Sequence, residues 1–255
     1  MHLVMIGGSD AGISAALRAR ELDPAAEVTV VLEDAYPNFS ICGIPYYLSG
    51  EVTHWRNLAH RTIADLEAAG MRLLLDTTAR RIDVAGRKLL ITSADGGEEV
   101  LGYDKLVVGT GAVPVRPPIR GLAGPGALGP DDRVHLVHSM GDTFAVMRTL
   151  ENAAPASAVI VGGGYIGLEM ADALTVRGLA VTQLEQLPEL LPTVDPQLGA
   201  HVHNELAAHG VEVLTGTTAR QISRATPGQP GRLHVQATTT DGTPVTRTAD
   251  MVLVV

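Results

Sequence analysis

Residues 158–186 read AVIVGGGYIGLEMADALTVRGLAVTQLEQ. A short apolar run from Ala158 to Val161 ends in three glycines. The following "YIGLEMADALTVRG" sets small and apolar residues at helical intervals, and "LAVTQLE" alternates again before closing on an acid. That order predicts strand, tight turn, helix, strand. Gly162, Gly164 and Gly167 fit G-x-G-x-x-G, and Glu185 lies 23 residues after the first of them. Each residue type has a reason. Glycines let the backbone approach a pyrophosphate, the helix N-terminus offers it unpaired N–H groups, and an acid at the tip of the next strand binds a ribose diol.

The same plan opens the chain. "LVMIGG" (3–8) precedes "SDAGISAALRARELDP" (9–24), and "EVTVVLED" (27–34) alternates and ends in Glu33 and Asp34. Gly7 and Gly12 fit the fingerprint, Gly8 and Ala11 complete the turn, and Ser9 replaces the middle glycine. Glu33 lies 26 residues after Gly7. The two units stand about 155 residues apart and form the one repeat legible in the chain. A lone glycine fingerprint is weak, because a helix packed tightly on a strand produces it too. Two copies, each with a strand before and an acid after, predict two bound dinucleotides.

Between the units, residues 71–112 alternate as strands, with "ADGGEE" as a hairpin turn, and close in a further glycine turn, Gly109-Thr110-Gly111. "PVRPPIRGLAGPGALGPDD" (114–132) is dense in Pro and Gly, which disfavours regular structure and suits a domain crossing. The expected fold class is α/β, with two Rossmann-like dinucleotide-binding domains at 1–112 and 113–255. Each should be a parallel sheet with helices plus a β-meander.

Bulk composition narrows the function. The chain has 255 residues and 45% hydrophobic content, enough for two cores, and 3% aromatics, so those cores are built from Ala, Val, Leu and Ile. A formal net charge of -9 with scattered Lys and Arg argues against nucleic-acid or anionic-membrane binding. No apolar run approaches the roughly 18 residues that span a membrane. One cysteine cannot form an internal disulfide, and "MHLVMIGGSDAG" has a strand pattern rather than that of a secretory leader. Cytoplasmic location is the expectation.

That cysteine is Cys42, in "NFSICGIPYYLSG" (38–50). The order of glycine turn, acid, cysteine, "TGA" turn and "GGGYIGLE" resembles the FAD- and pyridine-nucleotide-dependent disulfide oxidoreductase family across essentially the whole chain. The resemblance implies FAD on the first unit and NAD(P)H on the second. Dithiol members carry C-x-x-x-x-C, but position 47 here is Tyr47, which excludes their mechanism. The segment is similar instead to S-F-x-x-C-x-x-P-Y of the single-cysteine branch, which includes coenzyme A disulfide reductases, NADH oxidases and peroxidases, and persulfide reductases. Phe39, Cys42 and Pro45 match it, and Asn38 stands in place of Ser. In that branch the cysteine lies beside the flavin and cycles between thiolate and an oxidised form. Independently of family, a thiol of pKa about 8.5 is only a few per cent thiolate at pH 7. A helix starting at Gly43 would supply about 0.3–1 kcal/mol, less than one pKa unit, so a further electron sink is needed.

Other roles follow from the resemblance. Tyr165 would cover the flavin until nicotinamide displaces it, and Glu169 would lie near the nicotinamide. Unaided, these two read as an ordinary aromatic and a helix-face charge. The catalytic set is then Cys42, Tyr165 and Glu169. The cofactor set adds the two turns with Ile166, Glu33, Asp34, Thr110, Gly111 and Glu185. Glu185 has no Arg from 178 to 219 to receive a 2'-phosphate, so NADH is favoured over NADPH. Asp10 stands where oxidase members often have a proton-handling histidine, which weakens the peroxide reading. Arg18 and Arg20 could hold coenzyme A phosphates, although Glu21 interrupts them. The nine histidines form no metal pattern.

The terminal "ADMVLVV" resembles the strand that in the family leads to a second FAD segment and a dimerisation domain. The full-length relative is expected as a homodimer and the chain itself as a monomer with an incomplete flavin site. Expected substrates are a small disulfide, coenzyme A disulfide first, then a persulfide or peroxide. A catalytically silent nucleotide-binding module and a reductase of ferredoxin-type partners are the competing readings.

Overall fold

The computed structural model describes residues 1–226 and 231–255. Its internal contacts divide the chain into two units, 1–41 with 54–112, and 42–53 with 113–255. Residues 42–53 therefore pack with the later part of the chain although they interrupt the first unit in sequence.

The first unit opens with β1 (His2–Ile6), α1 (Asp10–Leu22) and β2 (Glu27–Val31). The chain passes through α2 (Ile44–Ser49), a member of the second unit, and returns with α3 (Ile63–Ala68), β3 (Met71–Leu74), β4 (Thr77–Asp83), β5 (Lys88–Ser93), β6 (Glu98–Gly102) and β7 (Lys105–Val108). A parallel sheet of order β3-β2-β1-β7 pairs Ile6 with both Val31 and Val108. The strands are apolar throughout because both faces are covered. Leu3, Met5, Val28 and Val30 meet Ile13 and Ala16 of α1 and Leu66 of α3. Val4, Ile6 and Val31 meet Leu89, Ile91 and Leu101 of the antiparallel meander β4-β5-β6. The "ADGGEE" turn joins β5 to β6, with Gly96 at φ 85.

The second unit continues with β8 (Val134–Leu136), α4 (Met140–Ala153), β9 (Ser157–Val161), α5 (Tyr165–Val176), β10 (Ala180–Leu184), α6 (Pro196–Ala208), β11 (Glu212–Leu214), β12 (Thr217–Arg224), β13 (Leu233–Thr239), β14 (Pro244–Ala249) and β15 (Met251–Val254). Its parallel sheet has the order β11-β10-β9-β15-β8, and β12-β13-β14 is again an antiparallel meander. Val159, Leu184, Val252 and Val254 pack on Ala219, Ile222, Leu233 and Val235 of that meander. The Pro/Gly-rich segment is irregular as expected, yet Ile119, Leu122 and Leu128 are buried in this same core. The α/β class with two Rossmann-type units is the observed one.

The duplication extends further than its glycine turns. "TTARRI" (77–82) and "TTARQI" (217–222) open equivalent meander strands, and each carries a bulge directly after its alanine, Ala79 and Ala219. Thr77 N–H donates to the Leu32 carbonyl and Thr217 N–H to the Glu185 carbonyl, at 2.6 and 2.8 Å. These copies are 140 residues apart, against 155 at the turns.

Candidate functional site

The second glycine turn joins β9 to α5. Gly162 takes φ 131, a conformation that L side chains rarely adopt, and its N–H donates to the Leu184 carbonyl at 2.9 Å. A Cβ on Gly167 would collide with the Gly162 carbonyl, so this glycine lets helix and strand close up. A Cβ on Gly163 would meet Glu185 and Leu190. Gly164, the middle glycine of the fingerprint, has nothing within 4 Å of such an atom. Its φ -79 and ψ -173 match the -88 and -165 of Ser9, so the serine in the first turn is no structural departure.

Glu185 is buried, 7% exposed. Its Oε2 accepts from Gly163 N–H and its Oε1 from Leu187 N–H, both at 2.7 Å. The carboxylate thus lies directly under the turn, with further lone pairs for a diol. Gln183 on the same face of β10 donates from Nε2 to the Gly162 carbonyl at 2.9 Å. Tyr165 and Ile166 open α5 at 59% and 43% exposure. The Tyr165 hydroxyl lies 3.5 Å from Thr193 Oγ1. Glu169, four residues on, shares its face of the helix. It lines a cleft of ≈ 70 Å³ with Asp172, Pro45, Tyr46, Ser49 and Glu51, and desolvation holds its carboxyl above the usual range.

The first turn repeats this frame with different contents. Gly7, at φ 110, donates to the Val31 carbonyl at 2.9 Å and packs on the Gly109 carbonyl, while Gly12 packs on the Gly7 carbonyl. Gly109 N–H donates to Ile6 at 2.8 Å, which places exposed Thr110 and Gly111 beside the turn; Ala11 is exposed at the start of α1. By these bonds Val31 is the counterpart of Leu184, so the counterpart of Glu185 is Leu32. The Leu32 side chain is indeed what a Cβ on Gly8 would strike. Glu33 is one residue further and exposed. Burial raises the Asp34 carboxyl, and Asp76 and Glu33 add to that, opposed by the Tyr36 N–H. The first turn fits a pyrophosphate, but its diol acid does not lie where the second unit has one.

Asn38 is the counterpart of Leu191. Their N–H groups donate to Gly8 and Gly163 carbonyls at 2.7 and 2.9 Å, and both residues are left-handed, at φ 54 and 50. Asn tolerates that conformation better than Ser. Its buried amide donates to Asp10 Oδ1 at 3.3 Å and accepts from Arg61 at 3.4 Å.

Cys42 is exposed in a 3₁₀ turn, Ile41–Gly43, leading into α2 with Gly43 as its N-cap. α2 packs on α5 and α4. Arg177 Nε donates to the Leu48 carbonyl at 2.6 Å, and its Nη2 lies 3.6 Å from Met147 Sδ. The arginines at the end of α1 are already engaged. Arg20 donates to the carbonyls of Pro24, Ala26 and Ala69, and Arg18 pairs with Glu21 at 2.7 Å. Gln183, Arg177 and Leu32 were missed in the sequence. Only Gln183 left a signal there, as an amide in an apolar strand.

The family model described as pyridine nucleotide-disulphide oxidoreductase matches residues 1–255. The chain belongs to this family. As a pyridine nucleotide-disulphide oxidoreductase family member it is 30% identical to an NADH oxidase of Methanocaldococcus jannaschii over 95% of the chain and 51% of that protein. It is 31% identical to an NAD(P)H coenzyme A polysulfide/persulfide reductase of Pyrococcus horikoshii over 71% of the chain and 39% of that protein. Among solved structures, the NAD-dependent persulfide reductase from A. fulgidus superimposes with a TM-score of 0.87 at 32% identity, covering 100% of this chain and 45% of that one. The chain spans about half the length of the first curated relatives it matches. Among the described residues, no helix is long and apolar enough to cross a membrane.

Proposed function

We propose that this chain is the nucleotide-binding portion of a flavoprotein oxidoreductase that spends NADH to reduce a low-molecular-weight disulfide or persulfide through Cys42. The observation that carries this is the pair of glycine turns built on one plan, in a chain whose single cysteine is exposed at the head of a helix packed on α5. FAD would lie on the first turn, from Gly7 to Gly12, with Thr110 and Gly111. NADH would lie on the second, over Gly162, Gly164, Tyr165, Ile166 and Gly167, with Glu185 taking its diol. When bound, the flavin supplies hydride acceptance from NADH and electron delivery to sulfur.

The remaining chemistry belongs to the side chains. The Cys42 thiolate attacks one sulfur of the substrate, forming a mixed disulfide and expelling the other sulfur, which leaves as a thiol once protonated. Two electrons, supplied ultimately by NADH, return Cys42 to the thiolate and release the second half. Glu169 lies one turn of α5 beyond Tyr165, in a position to border the nicotinamide. The carboxylate of Glu185 disfavours a 2'-phosphate, hence NADH over NADPH.

Persulfide reductases among the relatives support a sulfur substrate. The engagement of Arg20 with three backbone carbonyls removes one of the two cations considered for coenzyme A, so a persulfide now ranks beside coenzyme A disulfide. NADH oxidases among the relatives keep dioxygen or peroxide reduction as the second reading, against which Asp10 stands in the histidine position.

NADH consumption measured with coenzyme A disulfide, with a persulfide and with peroxide, in wild type and Cys42→Ser, tests the proposal. Sulfur-dependent turnover abolished by the substitution is expected. Undiminished turnover in Cys42→Ser would reject the role of the cysteine.

A further inference from the structure

Gln183 is fully buried on β10. Its Nε2 donates to the Gly162 carbonyl at 2.9 Å, and its Oε1 is buried with no hydrogen-bond partner. A carbonyl oxygen can only accept, so this bond fixes which way the amide faces. Burying an unpaired amide oxygen lowers stability. Packing alone therefore does not account for glutamine at this position. In the first unit its counterpart is Val30, equally buried.

Two residues on, Glu185 accepts from the Gly163 N–H at 2.7 Å. Gln183 and Glu185 thus hold the carbonyl and the N–H of one peptide unit, Gly162–Gly163, from adjacent positions on the same strand face. That peptide is flanked by two glycines, the residues most free to rotate it. In the first unit Val30 and Leu32 occupy these places, and neither side chain can hydrogen-bond the Gly7–Gly8 peptide.

We propose that Gln183 is a positioning residue for the nicotinamide nucleotide. By fixing the Gly162–Gly163 peptide before ligand arrives, it presets the second turn for a diphosphate and removes an ordering cost from binding. The unpaired Oε1 is the stability given up for that. This role rests on NADH occupying the second turn.

The test compares Gln183→Val, which installs the residue of the first unit, with Gln183→Met, which keeps the length without the amide. NADH affinity is titrated by fluorescence and melting temperature is measured without nucleotide. Both variants are expected to bind NADH about tenfold more weakly, the scale of one lost hydrogen-bond contribution, while melting at or above the wild-type temperature. A merely structural residue would lower both together, and that outcome, or unchanged NADH affinity, overturns the role. Gly164→Glu is the control for the site itself. It adds a carboxylate where nothing lies within 4 Å, so it folds and should repel the diphosphate. Wild-type NADH affinity in that variant would reject the second turn as the NADH site, a result separate from any obtained at Gln183.

Discussion

Gln183 and Glu185 hold opposite ends of a single peptide unit, the first on the Gly162 carbonyl at 2.9 Å and the second on the Gly163 N–H at 2.7 Å. Their counterparts in the first unit, Val30 and Leu32, are apolar. Two turns of one design therefore differ in how firmly they are held and in where their acids lie.

Glu185 should matter to stability as well as to nucleotide binding. Its two bonds are charge-assisted and buried, worth roughly 1.5–3 kcal/mol each before relaxation. Glu185→Ala is expected to lower the urea unfolding free energy by roughly 3 kcal/mol, with Glu185→Gln in between because it keeps one acceptor oxygen. An unchanged urea midpoint in the alanine variant would mean that the turn does not depend on this carboxylate.

The glycines of the fingerprint should not be equivalent. Gly164→Ser is expected to stay within about 0.5 kcal/mol of wild type, because a Cβ there meets nothing and the backbone is already extended. Gly167→Ala has helix propensity in its favour by about 1 kcal/mol but drives a methyl into the Gly162 carbonyl. Overpacking of this kind costs about 1–3 kcal/mol, so net destabilisation is expected. Thermal unfolding of the two variants side by side checks the contrast, and a more stable Gly167→Ala would contradict it.

Arg177 should hold α2 in place. Arg177→Met keeps much of the stem and loses the bond to the Leu48 carbonyl, worth about 1.5–3 kcal/mol at a charged donor. Faster proteolytic cleavage within residues 42–53, together with lower stability, is the expected result. Equal cleavage rates in variant and wild type would count against this anchoring.

His135 should make the fold sensitive to acid. It is buried on β8 with Nε2 3.0 Å from Thr149 Oγ1, and burial pushes its pKa down from 6.5 to about 4; Asp142 opposes that shift and Arg148 adds to it. The folded state binds its proton later than the unfolded state. Its stability contribution is therefore complete above pH 6.5 and is lost as pH falls from there towards 4. From pH 7.5 to 5 this amounts to about 2 kcal/mol of unfolding free energy. Urea titrations at the two pH values should give that difference in wild type and a smaller one in His135→Gln.

How much was legible in the sequence varies with the range of the interaction. The two turns were readable because glycine spacing and strand or helix periodicity are local steric requirements. The second acid, Glu185, was also placed correctly under its turn by spacing. The first acid was read one residue away from the true counterpart, because counting from Gly7 cannot see that Val31, by accepting the Gly7 N–H, puts Leu32 beneath Gly8. The repeated "TTAR" strands went unnoticed as part of the duplication. The loops after β2 and β10 differ by 15 residues, so no single period aligns both turn and meander.

By itself the sequence determined two dinucleotide turns on α/β units, the lone cysteine with its flanking Phe39 and Pro45, and the exclusion of a dithiol by Tyr47. The tertiary structure alone decided that residues 42–53 pack with the second unit and that Arg20 is held by three carbonyls. It also decided that one turn rests on an amide and a carboxylate while the other rests on valine and leucine. Each of these depends on which distant backbone atoms a side chain meets, and that is set by strand register and helix packing rather than by neighbours along the chain.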